Sequence, residues 1–453
     1  MLSIILAAGK GTRMKSELTK VLHPLAGKPM LSHVVETLKQ IDDNKIICVV
    51  GHQGERVKKT VGSGINYVEQ KRQLGTGHAV MQVKEFLAGY EGSVLIVCGD
   101  TPLLRTDTLI KFIAIHKEKN SDLSILTASL AEPGSYGRIV RSKNGETVER
   151  IVEAADASRV EKEIREVNSG VYCFRAELLE WALESLDRNN AQGEYYLTDA
   201  VDILSDQGKT ILPVQIDDPG EINGVNTRKD LAEAEKEFRL RINHRHLLNG
   251  VTIIDPDSTY IDMGVEIGRD TIVHPFTHLE GETSIGSHCE IAPRTRIIDS
   301  RLGEKVFIKS GSIIRESVIG SGCKVGPYAY VRPGCQIEKN VKLGDFVELK
   351  KAKVKSGSKV PHLSYVGDAE IGEKTNIGAG TIFANYDGKQ KHKTVIGNSA
   401  FIGSNTTLIA PVKVGDRACT GAGSVVTRDV KRDTTVLGVP ARVYKREKKT
   451  NDE

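Results

Sequence analysis

The sequence has 453 residues, which is enough for two or three domains of about 100–200 residues each. A net charge of +4 is too small to indicate nucleic-acid binding, and no apolar run approaches the ~18 residues that span a membrane. Seven cysteines without a CxxC pair argue against a zinc site and favour free thiols in a reducing compartment. The apolar N-terminal stretch is too short for a signal peptide, so we expect a soluble cytoplasmic protein that binds neither nucleic acid nor membrane.

The first half of the chain alternates short β-branched runs with helical patterns. We predict strands at 3–7, 45–51, 65–69, 94–98, 123–129 and 170–174, with helices at 30–41, 76–87 and 106–118. This alternation is typical of an α/β domain in which helices cover both faces of a mostly parallel sheet. Ligands on such sheets bind beyond the carboxyl ends of the strands, so we expect the functional residues to follow strands.

A glycine-containing turn follows the first predicted strand, in the segment Leu6-Ala7-Ala8-Gly9-Lys10-Gly11-Thr12-Arg13-Met14. Its glycines would let backbone amides close on phosphate oxygens, and Lys10 and Arg13 add positive charge. The segment is not a Walker A loop, because no second Gly-Lys-Ser/Thr appears at the required spacing. It is not a G-x-G-x-x-G motif, because position 14 is Met. The alternative is a purely structural turn.

Further polar positions follow the later strands of this half. Asp100 comes just after the apolar run 94–98, where a carboxylate is well placed to hold a hard cation, although a turn or helix cap is the alternative. The small-residue turn that begins at Gln70 could admit a flat base. Other fragments of interest contain Gly137, Glu153, Asn168 and Asn226.

A long helix and a hexapeptide repeat make up the second half. The helix is predicted at 227–248, where apolar residues form one stripe, and it ends at Asn249-Gly250. From there to about residue 436, aliphatic residues recur every six positions, and glycine, which suits a tight corner, often follows them. A period of six fits a chain that turns a corner every six residues, which is the signature of a parallel β-helix. We therefore predict domains at 1–226 and 251–453, a connecting helix at 227–250, and a frayed charged tail at 442–453.

Basic and titratable residues recur along this repeat. Arg332 and Lys350 stand one 18-residue turn apart, so they would share a face and could bind a phosphate, unless they are merely solvated charges. His362 lies on the following coil and could be catalytic or structural. The repeat breaks after Ile382 and resumes at Ile396. The polar insertion between them could project from one face and carry function, or it could be a tolerated loop.

The motifs of the first half resemble those of the sugar-phosphate nucleotidylyltransferases. Their pairing with a long hexapeptide domain resembles the bacterial enzymes that are both N-acetylglucosamine-1-phosphate uridylyltransferase and glucosamine-1-phosphate N-acetyltransferase. The resemblance is weakest over the connecting helix, residues 300–315 and the tail. It implies a Rossmann-like α/β nucleotidylyltransferase domain followed by a left-handed parallel β-helix. The implied reactions are N-acetylation of glucosamine 1-phosphate by acetyl-CoA and then Mg²⁺-dependent uridylyl transfer from UTP with release of pyrophosphate, which would feed peptidoglycan and other envelope polysaccharides.

For the first domain, the resemblance implies that Asp100 and Asn226 hold Mg²⁺ and that Arg13 and Lys20 lie along the triphosphate as catalytic residues. Phosphoryl transfer needs positioning and charge neutralisation rather than a protein nucleophile, so the chemistry agrees. The residues implied around UTP are Leu6, Ala7, Ala8, Gly9 and Lys20, with Gln70, Gly75 and Thr76 at the uracil. Those implied at the N-acetylglucosamine of the nucleotide sugar are Gly137, Glu153 and Asn168, with Asn226 nearby.

For the second domain, the resemblance implies that His362 is the general base for the glucosamine amine and that Asn385 assists it. The resemblance also implies that the acetyl group passes directly from acetyl-CoA to the amine, without a covalent acyl-enzyme. The residues implied at glucosamine 1-phosphate are Arg332, Lys350, Tyr365, Asn376 and Lys391. Those implied at acetyl-CoA are Ala379, Asn385, Tyr386, Ser404, Ala422 and Arg442, of which Arg442 matches the family's pattern in an uncertain register.

Solenoids of this kind resemble obligate trimers with acyl-CoA sites between subunits, so the resemblance also implies a homotrimer. Two alternatives remain open from the residues. One is a monofunctional sugar-1-phosphate nucleotidylyltransferase with a regulatory β-helix, against which the length of the solenoid and its ordered polar residues argue. The other is a non-catalytic scaffold, against which the presence of Asp100, Asn226, Lys20 and His362 argues.

Overall fold

The structure is a computed structural model that describes residues 1–444. The chain divides into two compact units, one of Met1–Phe238 and one that begins at Arg239. Most of the predicted charged tail, from residue 445 onward, lies outside the described residues.

The first unit is built on one nine-stranded sheet, accompanied by a two-stranded hairpin. The strands are β1 Leu2–Ala7, β2 Pro24–Leu25, β3 Lys28–Pro29, β4 Lys45–Val50, β5 Asn66–Glu69, β6 Ser93–Cys98, β7 Leu123–Ser129, β8 Arg138–Arg141, β9 Val148–Val152, β10 Glu166–Arg175 and β11 Ile211–Gln215. The separate hairpin is formed by β2 and β3. The strands of the sheet run in the order β11-β7-β10-β6-β1-β4-β5, and a second hairpin, of β8 and β9, joins through β10. Along that path only β10 runs antiparallel to its neighbours, so the predicted mostly parallel sheet is confirmed.

Helices cover both faces of this sheet, and its strands alternate their side chains between two buried layers. The helices are α1 Met30–Lys39, α2 Gly54–Val61, α3 Thr76–Met81, α4 Lys84–Leu87, α5 Thr106–Glu118, α6 Ala176–Ser185, α7 Asp199–Asp206 and α8 Arg228–Leu248. In β1, Ile4 packs with residues of α6 and α7, whereas Ile5 packs with residues of α1 and α5. Burial on both faces explains the nearly continuous apolar runs from which the strands were predicted.

One helix prediction differs from the structure and another is confirmed. The helix predicted at 76–87 is two helices, because the N–H groups of Gln82 and Val83 bond three residues back and tighten the chain between α3 and α4. The helix predicted at 227–248 is confirmed as α8. It ends where expected, and Gly250 beyond it takes a φ of 86°, a conformation in which glycine carries no steric penalty.

The second unit forms a solenoid with three faces, each of them a parallel sheet. Successive short strands of the chain belong to the first, second and third face in turn. The first face contains 252–253, 272–273, 290–291, 307–308, 324–325, 342–345, 359–362, 376–377, 401–402, 419–420 and 435–437, the last of which pairs with the antiparallel strand Arg442–Val443. The second face contains 260–261, 278–280, 296–298, 313–315, 330–331, 348–350, 365–367, 382–384, 407–409 and 425–426. The third face contains 266–267, 284–285, 301–302, 318–319, 336–337, 353–354, 369–371, 394–396 and 412–414.

The predicted aliphatic repeat lies inside this solenoid. Nearly every repeat position is at most 5% exposed, and the exception among those predicted is Ile267, which is partly buried. The repeat also continues through 300–315, where Leu302, Ile308 and Ile314 point inward. The repeat is hard to recognise there in the sequence because two of its spacings, from Ile297 to Leu302 and from Ile314 to Ile319, are five residues instead of six. At the start of the insertion, Phe383 rather than Ile382 is buried.

The glycines that follow the repeat positions mostly have a different reason from the one predicted. We expected tight corners, but a Cβ at Gly403 would lie 2.6 Å from the backbone nitrogen of Ala422 on the next coil. At Gly378 the corresponding distance to the nitrogen of Ser404 is 2.4 Å. The stacking of coils, rather than a left-handed φ, therefore requires glycine at these two positions.

Candidate active sites

The first candidate site is a cavity of about 840 Å³ at the edge of the nine-stranded sheet. This is the edge at which β1 and β6 end and the antiparallel β10 begins. The cavity brings together polar residues that are far apart in the sequence. Six of the predicted site residues line it: Arg13, Asp100, Gly137, Glu153, Asn168 and Asn226.

A compact charged cluster occupies one part of this site. The Lys20 ammonium forms an ion pair with the Asp100 carboxylate and donates to Asn226 Oδ1 at 3.0 Å. Arg13 Nη2 donates to the same oxygen at 2.9 Å. Lys20 can approach because Gly11 takes a φ of 63° and leaves room where a Cβ would lie 2.5 Å from the Lys20 Cβ. The cluster therefore joins the turn after β1 to the end of β6 and the segment before α8.

Asp230, in the first turn of α8, holds Asn226 in place. Its Oδ2 accepts the backbone N–H groups of Asn226 at 2.9 Å and Thr227 at 2.8 Å. Burial acts to raise the pKa of the Asp230 carboxyl, but these hydrogen bonds outweigh it and the pKa is lowered. The carboxylate thus remains ionised and fixes the backbone that carries Asn226.

The predicted uracil loop is tightly built. Gln70 is 3% exposed, and its Nε2 donates to Gly75 O at 3.1 Å. A Cβ on Gly75 would lie 2.4 Å from the carbonyl oxygen of Tyr195, so only glycine fits. Thr76 Oγ1 accepts the N–H of Leu197 at 3.0 Å. Of the predicted nucleotide residues on the first turn, Ala7 and Ala8 are buried and Gly9 is open to solvent. Leu6 offers its carbonyl to Gly99 N–H at 2.9 Å.

The predicted sugar residues share one corner of the cavity. Thr198 Oγ1 donates to Glu153 Oε1 at 3.2 Å, and burial raises the pKa of the Glu153 carboxyl. Asn168 Nδ2 donates to the hydroxyl of Tyr172 at 2.7 Å. A Cβ added to Gly137 would lie 3.6 Å from Glu153 Oε2. The three predicted residues are therefore neighbours with fixed side chains.

The second candidate site is a vertical row on the first face of the solenoid. Asp345 and His362 are paired on adjacent coils, and backbone hydrogen bonds extend the row through Ala379 and Ser404. Ala422 continues it on the next coil, because the register pairs Ile402 with Thr420. Four predicted residues, the base and three coenzyme A contacts, are thus stacked in order.

A basic cluster lies on the second face. Lys350 follows Arg332 by one coil in register, and Arg332 Nη1 donates to Glu348 at 2.9 Å. The adjoining Lys391 ammonium lowers the pKa of Lys350, as like charges in contact do. This arrangement confirms that the Arg332 and Lys350 side chains share a face.

The insertion after Phe383 folds into a closed loop beside that cluster. Asn385 Nδ2 donates to Asp368 Oδ2 at 2.6 Å and approaches the Tyr365 hydroxyl at 3.5 Å. Tyr386 pairs with Lys391 across the loop and is 61% exposed. The loop therefore brings Asn385, Tyr386 and Lys391 to the basic cluster.

Two predicted residues stand apart from these groups within one chain. Asn376 lies on the first face in the row of Lys359 and Phe401, not in the row of His362. Arg442 lies on the last described strand, and its guanidinium donates to the neighbouring Ala441 carbonyl at 3.1 Å.

Comparison with known proteins bears on both units. A family model for nucleotidyl transferase matches residues 2–221, and one for bacterial transferase hexapeptide (six repeats) matches residues 316–351 and 393–428. The bifunctional protein GlmU of Listeria monocytogenes is 48% identical over 437 residues, covering 96% of this chain and 95% of that protein. The GlmU of Acetivibrio thermocellus is 49% identical, with 95% and 93% covered. A solved UDP-glucose pyrophosphorylase complexed with UDP-glucose is 19% identical with a TM-score of 0.43, covering 53% of this chain and 98% of its own.

The chain belongs to the GlmU family. As a member it is a bifunctional enzyme of UDP-N-acetylglucosamine synthesis, with uridylyltransferase and N-acetyltransferase activities. Its solenoid is a left-handed parallel β-helix of hexapeptide repeats. Its substrates are small molecules such as a nucleoside triphosphate and acetyl-CoA. Within residues 1–444, no helix combines the length and apolar character needed to cross a membrane.

Several residues that contact the predicted site residues escaped the sequence analysis. Asp345, Asp230 and Thr198 contact predicted residues, yet each lies in a segment without a recognisable motif. Asp345 could have been found from the repeat, because it precedes His362 by one coil. That coil has 17 residues rather than 18, so simple counting places it one position off.

Nucleotidyl transferases of this kind generally depend on a divalent metal, and the charged cluster fits one. The Lys20 ammonium lies between oxygens of Asp100 and Asn226, which shows that both oxygens converge on a single cation. Such hard oxygen donors suit a hard metal ion. Among the described residues, no group of three or more His, Cys, Asp or Glu could hold a metal. One carboxylate and one amide, completed by substrate phosphates, would suit a hard divalent cation.

Proposed function

We propose that residues 1–226 carry out uridylyl transfer and that 251–453 carry out acetyl transfer, joined by a connecting helix at 227–250. The placement of two separate polar clusters, one at the sheet edge and one on the solenoid, supports this division. Each cluster has the chemistry that one of the two reactions needs.

In uridylyl transfer, the phosphate oxygen of N-acetylglucosamine 1-phosphate would attack the α-phosphorus of UTP, and pyrophosphate would leave. Arg13 and Lys20 would neutralise the triphosphate, which their positions 2.9 Å and 3.0 Å from the Asn226 oxygen support. Asp100 and Asn226 would hold Mg²⁺, which supplies further charge neutralisation when bound. The protein thus contributes positioning and charge, not a covalent intermediate.

The nucleotide would lie between the turn after β1 and the loop that begins at Gln70. The side chains of Ala7 and Ala8 are buried, so this turn would bind the nucleotide mainly through its backbone and through Gly9. Gln70, Gly75 and Thr76 would contact the uracil, a role that the rigid, glycine-dependent build of the loop supports. Gly137, Glu153 and Asn168 would bind the sugar, whose hydroxyls suit fixed carboxylate and amide oxygens.

In acetyl transfer, His362 would take the proton from the amine of glucosamine 1-phosphate as that nitrogen attacks the thioester carbonyl. The carbon–sulfur bond would break, and coenzyme A would leave as the thiol after its thiolate takes the proton held by His362. Asn385 would assist, while Tyr386 and the Ser404 N–H would face the acetyl group and its developing oxyanion. The residues proposed at the sugar phosphate are Arg332, Lys350, Tyr365, Asn376 and Lys391.

The observation that carries the acetyltransferase assignment is the row of His362, Ala379, Ser404 and Ala422. The side chains stacked above the histidine are small, so an extended pantetheine arm would find room along the first face. Arg442 is proposed as a further coenzyme A contact. Its positively charged guanidinium group suits a phosphate in the nucleotide part of coenzyme A.

A homotrimer would complete this second site. In one chain the basic cluster and the row of His362 lie on different faces of the solenoid. Tyr328, Phe346 and Leu363 are 53%, 59% and 60% exposed along one corner, and the first two rings stack at 5.6 Å. Apolar exposure of this kind suits burial against a neighbouring subunit. We also propose a cytoplasmic location, where UTP and acetyl-CoA are supplied.

The test measures both reactions on one preparation. Release of coenzyme A thiol from acetyl-CoA with glucosamine 1-phosphate reports the second site, with glucosamine 6-phosphate as the control substrate. Release of pyrophosphate from UTP with N-acetylglucosamine 1-phosphate reports the first. His362→Ala should abolish thiol release and spare pyrophosphate release, and Asp100→Ala should do the reverse. Loss of both activities in either variant would contradict the proposed division.

A further inference from the structure

Asp345 makes a side-chain contact that the proposed roles leave unexplained. Its Oδ1 forms a hydrogen bond with His362 Nδ1, and the two residues end paired strands on adjacent coils. The side chains are 34% and 53% exposed, respectively. The contact uses Nδ1, so the second ring nitrogen, Nε2, is not engaged by this carboxylate.

A carboxylate at Nδ1 has a defined consequence for an imidazole. It accepts the Nδ1 hydrogen and so places the lone pair of the neutral ring on Nε2. It also stabilises the imidazolium that forms when Nε2 takes up a proton. A general base held in this way has one orientation and one basic nitrogen.

The charges around the pair leave Asp345 as the anion that acts on His362. The hydrogen bond from His362 is the main cause that lowers the pKa of Asp345, and Lys309 on an earlier coil adds to it. The following coils present Ala379 and Ser404 in this row, which carry no charge. Glu348, the carboxylate on the neighbouring face, forms its ion pair with Arg332 instead.

We propose that Asp345 is a positioning residue for acetyl transfer, which orients His362 and sets the tautomer that accepts the amine proton. This inference rests on the proposed role of His362 as the general base. The competing explanation is local, because Asp345 precedes Phe346, which has a φ of 53°, and its carboxylate also bonds its own backbone N–H. In that case it would shape the corner without acting on the reaction.

The experiment measures kcat and KM for acetyl transfer from about pH 5 to about pH 9 on the full-length chain. Asp345→Asn removes the charge but keeps an oxygen that can accept from Nδ1, and Asp345→Ala removes both. The matched control is Asp270→Asn, because Asp270 stands 3.8 Å from His288 in another exposed Asp–His pair of the solenoid. Pyrophosphate release by each variant checks the first unit, and the melting temperature of each variant checks that the solenoid is folded.

We expect the low-pH midpoint of the kcat/KM profile to fall by roughly one pH unit in Asp345→Asn, because a nearby anion no longer favours the protonated ring. Asp345→Ala should also lower kcat roughly ten-fold with little change in KM for acetyl-CoA. This is far less than the ~10⁴-fold effect of a fully buried partner. Asp270→Asn should leave the profile unchanged.

Two results would overturn the inference. One is an unchanged midpoint and kcat in both Asp345 variants, and the other is an equal shift in Asp270→Asn. If His362→Ala retained acetyl transfer, the proposed function of His362 would fail first. A dead His362→Ala with unaltered Asp345 variants would refute the positioning role alone.

Discussion

Acidification should destabilise the second unit through one buried histidine on α8. His246 is 4% exposed, and among residues 1–444 its Nε2 has no hydrogen-bond partner. Burial, and secondarily the charge of Arg245, lower its pKa from 6.5 to about 4. Below pH 6.5 the unfolded chain therefore binds a proton at His246, whereas the folded chain does not bind it until about pH 4. The free energy of unfolding thus decreases as the pH falls through this window. The proton-binding term of the histidine is one plus the ratio of its protonated to its neutral form. At pH 5 this term is about 30-fold larger in the unfolded chain than in the folded chain, which corresponds to a loss of about 2 kcal/mol in the free energy of unfolding.

The assay measures the free energy of unfolding by urea at about pH 7.5 and at about pH 5. The slope of this free energy against urea concentration is compared between the two pH values as well. His246→Gln should reduce the pH-dependent loss by about 2 kcal/mol relative to the parent. Any packing cost of the substitution cancels, because each protein is compared with itself at two pH values. His244→Gln, an exposed neighbour on α8, is the control and should match the parent. An identical pH dependence for the parent and His246→Gln would refute the reasoning.

The remaining predictions concern backbone space and the charges of the two sites. Gly11→Ala should cost roughly 1–3 kcal/mol, because the residue has a φ of 63° and its Cβ would collide with Lys20. Its kcat/KM for pyrophosphate release should fall while thiol release persists, and equal losses in both assays would contradict this. Gly403→Ala should lower the melting temperature and abolish thiol release, because the added Cβ would collide with the backbone of the next coil. Gly264→Ala is the control and should lower the melting temperature less, because its Cβ would first meet the flexible end of the Glu282 side chain. Lys350→Ala should raise KM for glucosamine 1-phosphate roughly ten-fold with a smaller change in kcat, and an unchanged KM would remove Lys350 from the phosphate site.

The periodicities of the sequence predicted the architecture well because burial imposes them directly. The strands of the first unit are buried on both faces, so they appear as apolar runs between helical patterns. The six-residue repeat reflects one inward side chain per short strand. Where the corner shortens to five residues, as before Leu302, the geometry persists but the spacing changes, and the pattern is lost to simple counting.

The glycines illustrate a limit of local reasoning. Gly378 and Gly403 stand where a sequence suggests tight turns, yet their requirement comes from the coil stacked above them. A residue roughly one coil distant in the sequence decides what fits. No window of a few residues contains that information.

The sequence by itself determined the two-part organisation, the order of the site motifs and the membership in a family of two-activity enzymes, because these depend on local periodicity and on residue types. Only the tertiary structure decided which side chains touch. It placed Lys20 between Asp100 and Asn226, Asp230 beneath Asn226, and Asp345 against His362. These contacts join residues between 4 and 206 positions apart, and they arise from strand register and coil length, which are set by packing of the whole unit rather than by any segment of the chain.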